Sequence, residues 1–352
     1  MTHFSPPPAH RRGFTLVEVM VAMVIGMLGI IIMMQVFATT EGRKRTTTGT
    51  GDAQSNGAMA IHELQRDIRH GGYGLNSISL LNCSLALGAP SDATLPALAP
   101  AIINPRKADG SLLLPAGDAN TDTLLIAFGN SAGSPEGDAI TLVSGKELAV
   151  HTPANFLVGD RVVAAPGSAV AGCAVQMTSV TAVAAPRVTV DSANGAVSGG
   201  LLFNLGAAPA VRAYAIRGGN LAVCNYMLND CGKASDAGNT AVWTPIANGI
   251  VGLRAQYGRD TSNPMDGSVD IWDQTTPASA CAWIGASALR LAVVARNSQV
   301  DKGEITATAP TWEGSADTPF DLSAKDNWKN YRYKVFETVV PVRNLPWMAK
   351  CS

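Results

Sequence analysis

The chain has 352 residues, with 26 lysines and arginines against 27 aspartates and glutamates. A balance this even excludes both a basic nucleic-acid binder and an acidic tail protein. Charged residues make up only 15% of the chain and apolar residues 47%, with 35 glycines and 20 prolines. This composition argues against long disorder and against an all-helical bundle, and the length allows about two domains with a buried core.

The first predicted element is an apolar helix behind a short polar leader. Residues 19–40 contain no charged side chain, and a helix of that length spans roughly 33 Å, enough to cross a hydrocarbon core of about 30 Å. The leader, residues 1–13, contains three consecutive prolines, which keep it from joining the helix. The sequence therefore predicts a membrane-spanning helix near the N-terminus.

Two ordinary explanations of this segment conflict with its residues. A secretory signal peptide has an apolar stretch of about 7–15 residues, shorter than this one, and residues 36–38 match a cleavage site only weakly. A plain membrane anchor explains the length but not Glu18, because a carboxylate in a membrane segment is costly and usually has a function or a partner.

The segment RRGFTLVE at 11–18 resembles the cleavage and methylation signature of type IV prepilins and of type II secretion pseudopilins. The resemblance implies that a prepilin peptidase cuts between Gly13 and Phe14 and methylates the new amine of Phe14. It also implies that Glu18 pairs with the terminal amine of a neighbouring subunit during assembly. The physics agrees, because a carboxylate in a low dielectric is stable only when it is paired.

The helix is predicted to continue beyond the membrane segment, from about Phe14 to His70. The segment TTTGTG at 46–51 is a poor helix former, so the helix is expected to loosen there. An apolar stripe then recurs at helical spacing, with Arg66, Asp67 and Arg69 placed off it, and a Gly71-Gly72 stop follows. The stripe consists of Gly57, Ile61, Leu64 and Ile68.

Beyond residue 75 short apolar runs alternate with glycine, proline, asparagine and aspartate, which predicts a mostly antiparallel β domain. The predicted strands are residues 123–128, 139–143, 161–165, 187–190, 211–216, 250–257, 288–295 and 335–342. Three turn dipeptides, at 109–110, 194–195 and 266–267, support this interpretation. Residues 88–105, rich in alanine and proline, are expected to form a surface loop.

Four further segments are similar to the PilW family of type IV pilus minor pilins. They are RDIRHGGYG at 66–74, IVGLRAQYGRD at 250–260 with DGSVD at 266–270, ALRLAVVAR at 288–296, and FETVVPVRN at 336–344. The resemblance implies a subunit at or near the pilus tip that helps to initiate assembly. The partners it implies are other minor and major pilins, the assembly platform, prepilin peptidase and a large tip adhesin.

The six cysteines all lie in the part of the chain after residue 75 and include no C-x-x-C pair, which favours disulfides in an oxidising compartment. Cys224 and Cys231 are close enough to close a short loop, and Cys351 would pin the C-terminus if oxidised. Fifteen connectivities are possible for six cysteines. The charges flanking the apolar segment do not set its orientation in the membrane. The cysteines do indicate one, because disulfides favour a head outside the cytoplasm.

Two kinds of chemistry compete with this interpretation. The segment GNSAG at 129–133 fits the nucleophile elbow of a serine hydrolase, with Ser131 as nucleophile and His70-Gly71-Gly72 as a faint oxyanion-hole motif. The following residues look like a turn rather than the required helix, and His151 is too near for the usual triad order.

Asp260, Asp266 and Asp270 could supply oxygen ligands to a calcium ion, but their spacing does not match the EF-hand loop. Solvated carboxylates in a turn are the simpler explanation. We expect no metal cluster and no cofactor.

The sequence thus predicts an α+β protein, with a long pilin-type helix packed on a mostly antiparallel β-sheet head. The expected parts are a leader at 1–13, a membrane and filament-core helix at 14–40, an amphipathic continuation at 41–74 and a head at 75–352. The expected function is that of a non-enzymatic minor pilin, held in the inner membrane with a periplasmic head and then carried into the pilus. The alternatives are a type II secretion tip pseudopilin similar to GspJ, and a membrane-anchored exported hydrolase or binding domain.

Overall fold

A computed structural model describes residues 13–346 of the chain. The chain divides into two compact units, Met1–Gly51 and Asp52–Ser352. The leader prediction for residues 1–12 and the suggested role of Cys351 lie outside the described residues. The fold is α+β, as predicted, with one long helix and a β-rich head.

The long helix, α1, covers Leu16–His70. It begins two residues after Phe14 and ends where the sequence predicted, at the Gly71-Gly72 stop. Gly72 has a φ of +80°, a left-handed conformation that ends helices without the steric cost a side chain would carry.

The prediction that the helix loosens at residues 46–51 was wrong, because the backbone there is helical throughout. Helix continues on both sides of this stretch, so no new nucleation is needed to cross it. Each residue added to an existing helix gains a backbone hydrogen bond, whereas a break would require a second nucleation event. This cooperativity outweighs the weak local propensity of threonine and glycine.

In the second unit the face of α1 that points into the head is built from the predicted stripe. Leu64 and Ile68 are fully buried, and each contributes about 1.5–3 kcal/mol by leaving water. Gly57 lies directly under Phe336, so close that a Cβ at this position would overlap the aromatic ring. The prediction that Asp67 lies off this face was wrong, because its side chain is only 1% exposed.

Three sheets contribute residues to the main hydrophobic core, together with this part of the helix. The first contains β3 (Ala101–Ile103), β4 (Leu124–Phe128), β11 (Ala210–Arg217), β12 (Asn220–Asn225) and β13 (Thr244–Asn248). These five strands lie in the order β13-β12-β11-β4-β3. The second contains β14 (Ile250–Arg259), β15 (Ile271–Asp273), β16 (Ala286–Arg296) and β17 (Tyr333–Pro341). These four strands are antiparallel, in the order β15-β14-β16-β17.

A short helix, α2 (Ala280–Ile284), precedes β16 and is capped by the Ser279 hydroxyl. The other face of the four-stranded sheet is covered by the segment between β16 and β17. Trp312 and Phe320 of this segment form a separate small core with Val251 and Val294. Both faces of β14 and β16 are therefore largely buried, which explains the apolar run at residues 291–295 of β16.

The remaining eight strands form a third sheet. They are β1 (Ser84–Ala86), β2 (Thr94–Leu95), β5 (Asp138–Ser144), β6 (Glu147–Val150), β7 (Arg161–Ala165), β8 (Ala174–Ala184), β9 (Arg187–Val190) and β10 (Leu201–Gly206). Their order is β2-β1-β8-β7-β10-β5-β6-β9. Strands β8 and β9 also pair, so six of the eight strands close into a small barrel. The barrel has its own apolar core, which includes Phe156, Val162, Val188 and Leu202.

The barrel is inserted into a hairpin of the five-stranded sheet. Phe128 at the end of β4 pairs directly with Ala210 at the start of β11, and the barrel is built from the chain between them. The inserted chain therefore leaves and returns at neighbouring points, an arrangement that lets an insertion be accommodated without disturbing the sheet.

The prediction of a surface loop at residues 88–105 was wrong. This stretch contains β2 and β3, and Leu95, Leu98 and Ile103 are each 1% exposed. Alanine and proline are frequent in loops, but here β2 pairs with β1, β3 pairs with β4, and the leucines and isoleucines are buried in the core. Composition alone did not distinguish the two cases.

Candidate assembly site

The first turn of α1 is closed by Thr15 and Glu18. The carboxylate of Glu18 accepts hydrogen bonds from the amide and the hydroxyl of Thr15, both at 2.9 Å, and the Glu18 amide donates to the Thr15 hydroxyl at 3.3 Å. This is a reciprocal capping box, which satisfies donors that the start of a helix leaves unpaired. It also places a carboxylate four residues from Phe14.

The residues just before this turn are open to solvent. Phe14 is 88% exposed, and a Cβ built on Gly13 would meet no atom within 4 Å. Both residues precede the helix, so the bond between them lies outside regular secondary structure. A peptidase acting between Gly13 and Phe14 would therefore meet accessible, non-helical backbone.

Behind the first turn the helix offers mainly apolar surface. The range Leu16–Glu41 is 26 residues long, is apolar enough to cross a membrane and contains no buried residue. Its exposed side chains include Met23, Ile30 and Phe37 at 61–74% exposure. A continuous apolar helix of this kind requires a membrane or other apolar helices around it.

At the other end of α1, Asp67 joins the helix to the five-stranded sheet. Its buried carboxylate accepts a hydrogen bond from the Tyr214 hydroxyl at 2.5 Å and forms an ion pair with Arg212 at 2.8 Å. Arg66 contributes a second ion pair at 3.2 Å. Because both partners on β11 are far away in sequence, nothing local identified this cluster.

The surroundings of Tyr214 and Arg212 fix the protonation states of these two side chains. Burial raises the pKa of the Tyr214 phenol, and the nearby Asp67 carboxylate raises it further. The pKa of Arg212 is also raised, because Asp67 outweighs the opposing effect of burial. Tyr214 therefore remains a protonated donor and Arg212 remains a cation at any physiological pH. We refer to Asp67, Arg66, Arg212 and Tyr214 as the Asp67 cluster.

The end of α1 is also held by the chain that follows β17. The side-chain amide of Asn344 donates to the carbonyl oxygens of Arg69, His70 and Gly71, at 3.2, 3.2 and 3.0 Å. The last carbonyls of a helix have no partner within the helix, so Asn344 acts as a cap supplied from a distant part of the sequence. Two of the segments that resemble the PilW family, at 66–74 and 336–344, therefore meet in space.

Two disulfides are present whose cysteines both lie in the described residues. Cys224 and Cys231, the pair suggested by their spacing, are bonded with a Cα–Cα distance of 5.8 Å. Cys83 and Cys173 form the second bond and join the residues just before β1 and β8, at a Cα–Cα distance of 4.7 Å. Cys281 is also disulfide-bonded. Oxidised cysteines fit a head outside the reducing cytoplasm.

The three aspartates considered for calcium are occupied by the loop that contains them. Asp260 accepts from the amides of Ser262 and Gly267, and Asp270 accepts from Thr261. Asp266 accepts from the Ser268 amide. Among residues 13–346, no group of three histidine, cysteine, aspartate or glutamate side chains could hold a metal ion. The three carboxylates act as turn-forming acceptors instead.

These hydrogen bonds lower the pKa of two of the carboxyl groups. Desolvation raises the pKa of Asp260, but the amides of Gly267 and Ser262 outweigh it and bring the pKa below its ordinary 3.8. The pKa of Asp270 is lowered by the amide and hydroxyl of Thr261. Both groups are therefore anionic at neutral pH.

The geometry that a serine hydrolase requires around Ser131 is not found in the described residues. Ser131 lies in a turn, where its hydroxyl accepts a hydrogen bond from the Gly133 amide at 2.9 Å. No helix follows it in residues 129–137, although a nucleophile elbow requires one. At the end of α1 the His70 ring packs against the Phe128 ring, with 5.6 Å between their centroids. Residues 70–72 are thus a helix end and not an oxyanion hole.

Two known protein families match parts of the chain. Residues 8–34 match the prokaryotic N-terminal methylation motif, and residues 220–344 match the family of Type IV Pilus-assembly protein W, PilW. No curated protein and no solved structure gives a significant match to the chain. The PilW match covers strands β12 to β17 and the Asn344 cap, while the barrel lies outside both matches.

The PilW family is structural rather than catalytic, and a methylation motif on an apolar N-terminal helix fits a pilin anchored in the inner membrane. The chain therefore combines a prepilin-type methylation motif with a C-terminal region that matches PilW, and together these two matches support a minor pilin of the type IV pilus.

Proposed function

We propose that this minor pilin helps to initiate pilus assembly, at or near the tip of the filament. In this proposal prepilin peptidase cleaves between Gly13 and Phe14 and methylates the Phe14 amine. The helix is stored in the inner membrane with the head in the periplasm, and is then extracted into a bundle with other minor and major pilins through the assembly platform. A large tip adhesin is a further partner.

The observation that carries the proposal is the carboxylate of Glu18 on the first turn of an apolar helix. In the single chain the Thr15 capping box satisfies this carboxylate. Within an apolar helical bundle a carboxylate needs an opposite charge, and the Phe14 amine of the neighbouring subunit supplies one at the same level of the bundle. Charge compensation then sets the register of the incoming subunit.

The Asp67 cluster and the Asn344 cap support the second half of this mechanism. Both fix the C-terminal turn of α1 to the head by buried or multiple polar contacts. A pull on the helix is therefore transmitted to the head through groups that resist separation, because a buried carboxylate cannot leave its partners cheaply.

The proposal is tested with Glu18→Gln and Glu18→Ala in the native host. Glu18→Gln keeps an oxygen that can accept the Thr15 hydrogen bonds and removes only the charge. We expect both variants to be processed to the mature mass, to remain in the inner membrane and to yield far fewer surface pili. Normal pilus numbers with Glu18→Gln would show that the charge does not set register.

Two controls separate the alternatives. A GspJ-like pseudopilin predicts that secretion through the type II system falls while pilus numbers stay normal, so both are measured in the same strains. An anchored hydrolase predicts that Ser131→Ala abolishes an esterase activity while Glu18→Ala is silent. An anchored binding domain predicts full function when residues 14–18 are replaced by a generic membrane anchor.

A further inference from the structure

The cysteines of the chain leave one bond whose second partner has not yet been named. The sequence contains six cysteines, and four of them form the two disulfides described above. Cys281 is also disulfide-bonded, although it belongs to neither of these pairs. The sixth cysteine of the sequence is Cys351, which lies outside the described residues. Within a single chain, Cys281 therefore has one cysteine with which it can pair.

Cys281 lies close to the place where the chain leaves its last strand. It is the second residue of α2, which precedes β16. Strand β17 runs antiparallel to β16, so that its last residue, Pro341, is opposite Ala288 near the start of β16. The next residue, Val342, donates its amide to the Ser287 carbonyl at 2.8 Å. The chain that leads to the C-terminus therefore starts beside a residue that lies shortly after α2.

The chain that follows Val342 is long enough to reach α2. Cys281 and Ser287 are six residues apart, so their Cα atoms are separated by at most about 22 Å. Val342 and Cys351 are nine residues apart, and an extended chain of that length spans about 30 Å. A disulfide requires Cα atoms about 4.4–6.8 Å apart. Even the largest separation that the sequence allows therefore lets the two cysteines meet.

The chain between β17 and Cys351 also carries the cap on α1. Asn344 donates to three carbonyl oxygens at the end of α1, and Leu345 is 8% exposed and packs in the main core. We propose that Cys281 and Cys351 form a third disulfide, which ties the end of the chain to α2 and holds the Asn344 cap on α1. The proposal concerns the covalent structure of the head and does not depend on the role in pilus initiation.

Formation of this bond requires an oxidant. The two thiols lose two protons and two electrons as the S–S bond forms. The disulfide of an exported oxidoreductase accepts the electrons by thiol–disulfide exchange and is itself reduced to a dithiol. The same exchange accounts for the two described bonds of the head. Oxidation therefore locks the cap in place, and a reductant releases it.

The test is disulfide mapping of the full-length protein extracted from the membranes of its own host. Free thiols are blocked with iodoacetamide, and the protein is digested with trypsin without reduction. Trypsin releases residues 260–290 and residues 351–352 as separate peptides, and each contains one cysteine. We expect these two peptides to be joined, at a mass that reduction splits into its two parts. A blocked Cys281 or Cys351, or either one joined to another peptide, another protein or a small thiol, would overturn the proposal.

Cys281→Ser and Cys351→Ser remove the same bond and should therefore have the same effect. We expect each to lower the melting temperature by about 5–10 °C, with no further loss in the double variant. Amide exchange of residues 68–73, at the end of α1, should accelerate in both variants because the cap is no longer held. Unequal effects of the two single variants, or unchanged exchange at the end of α1, would contradict the proposal.

Cys231→Ser is the matched control. It removes a described disulfide of the same head, the one that closes the short loop from Cys224 to Cys231. It should leave the exchange of residues 68–73 unchanged, because this bond does not hold the chain that carries Asn344. Equal acceleration in Cys231→Ser and Cys351→Ser would show a general loss of stability instead of a released cap, and would count against the proposal.

Discussion

The buried carboxylate of Asp67 is the contact whose removal should most weaken the attachment of α1 within the head. Asp67→Asn keeps the size of the side chain and removes its charge, so Arg212 loses its counter-charge while Tyr214 keeps an oxygen to which it can donate. Removing one partner of a buried ion pair costs about 3–5 kcal/mol. The side chain of Arg212 is 33% exposed and that of Arg66 is 43% exposed, so water recovers part of this cost. We therefore expect Asp67→Asn to lower the free energy of unfolding by about 2–3 kcal/mol.

Glu63→Gln is the matched control, since Glu63 is an acidic residue one turn earlier that also contacts Arg66, at 3.0 Å. This pair is exposed and should contribute only about 0–0.5 kcal/mol. The assay is urea unfolding of the full-length protein in micelles, followed by tryptophan fluorescence, with the slope of the transition checked for constancy. If Asp67→Asn and Glu63→Gln lower the free energy of unfolding equally, the cluster does not anchor the helix as described.

Three further predictions concern other contacts of the head. Asn344→Ala removes the cap from three helix carbonyls and should cost about 1 kcal/mol in the same unfolding assay; no change would mean that water replaces the amide. Gly57→Ala places a methyl group against the Phe336 ring of β17 and should cost about 1–3 kcal/mol, whereas Gly51→Ala, which meets no atom within 4 Å, should stabilise α1 by about 0.5–1 kcal/mol. The opposite order would show that Gly57 is not closely packed. The pKa values of Asp260 and Asp270 lie below 3.8 in the folded loop, so their contribution to stability is present above that pH and is lost as the pH falls further. Amide exchange of residues 261–268 should therefore accelerate below about pH 4. Between about pH 5 and 7 it should stay constant after correction for the intrinsic exchange rate.

Much of the head could be predicted because its strands carry local patterns. Strands β7 and β9 were predicted with their observed bounds, and the strands predicted at 250–257 and 288–295 fell within β14 and β16. Apolar, β-branched residues bounded by turn residues are sufficient to indicate such strands. The turn glycines at 110, 195 and 267 all adopt a positive φ, as their dipeptides indicated.

The barrel could not be predicted, because closure depends on pairings between distant strands. Strand β8, Ala174–Ala184, contains alanine, threonine and serine among its valines, so its apolar pattern is weak although several of its residues are buried. No local signal shows that β8 pairs with β7, β9 and β1 at once. The disulfide from Cys83 to Cys173 depends on the same long-range geometry.

Asp67 was predicted to lie on the exposed side of the helix, although its spacing from Leu64 indicates the buried face. It lies three residues after Leu64, a spacing that puts the two side chains on the same face of a helix. Its charge led to its assignment to solvent, because unpaired carboxylates are rarely buried. The pairing groups, Arg212 and Tyr214, lie on β11 and could not be identified from the sequence around Asp67.

Prepilin processing is tested most directly by the intact mass and N-terminal sequence of the protein extracted from the membranes of its own host, with Gly13→Ala in parallel. We expect a mature chain that begins at N-methylated Phe14, and an unprocessed chain in Gly13→Ala. A wild-type chain that begins at Met1, or one that begins just after Ala38, would contradict prepilin processing and with it the assembly mechanism based on Glu18.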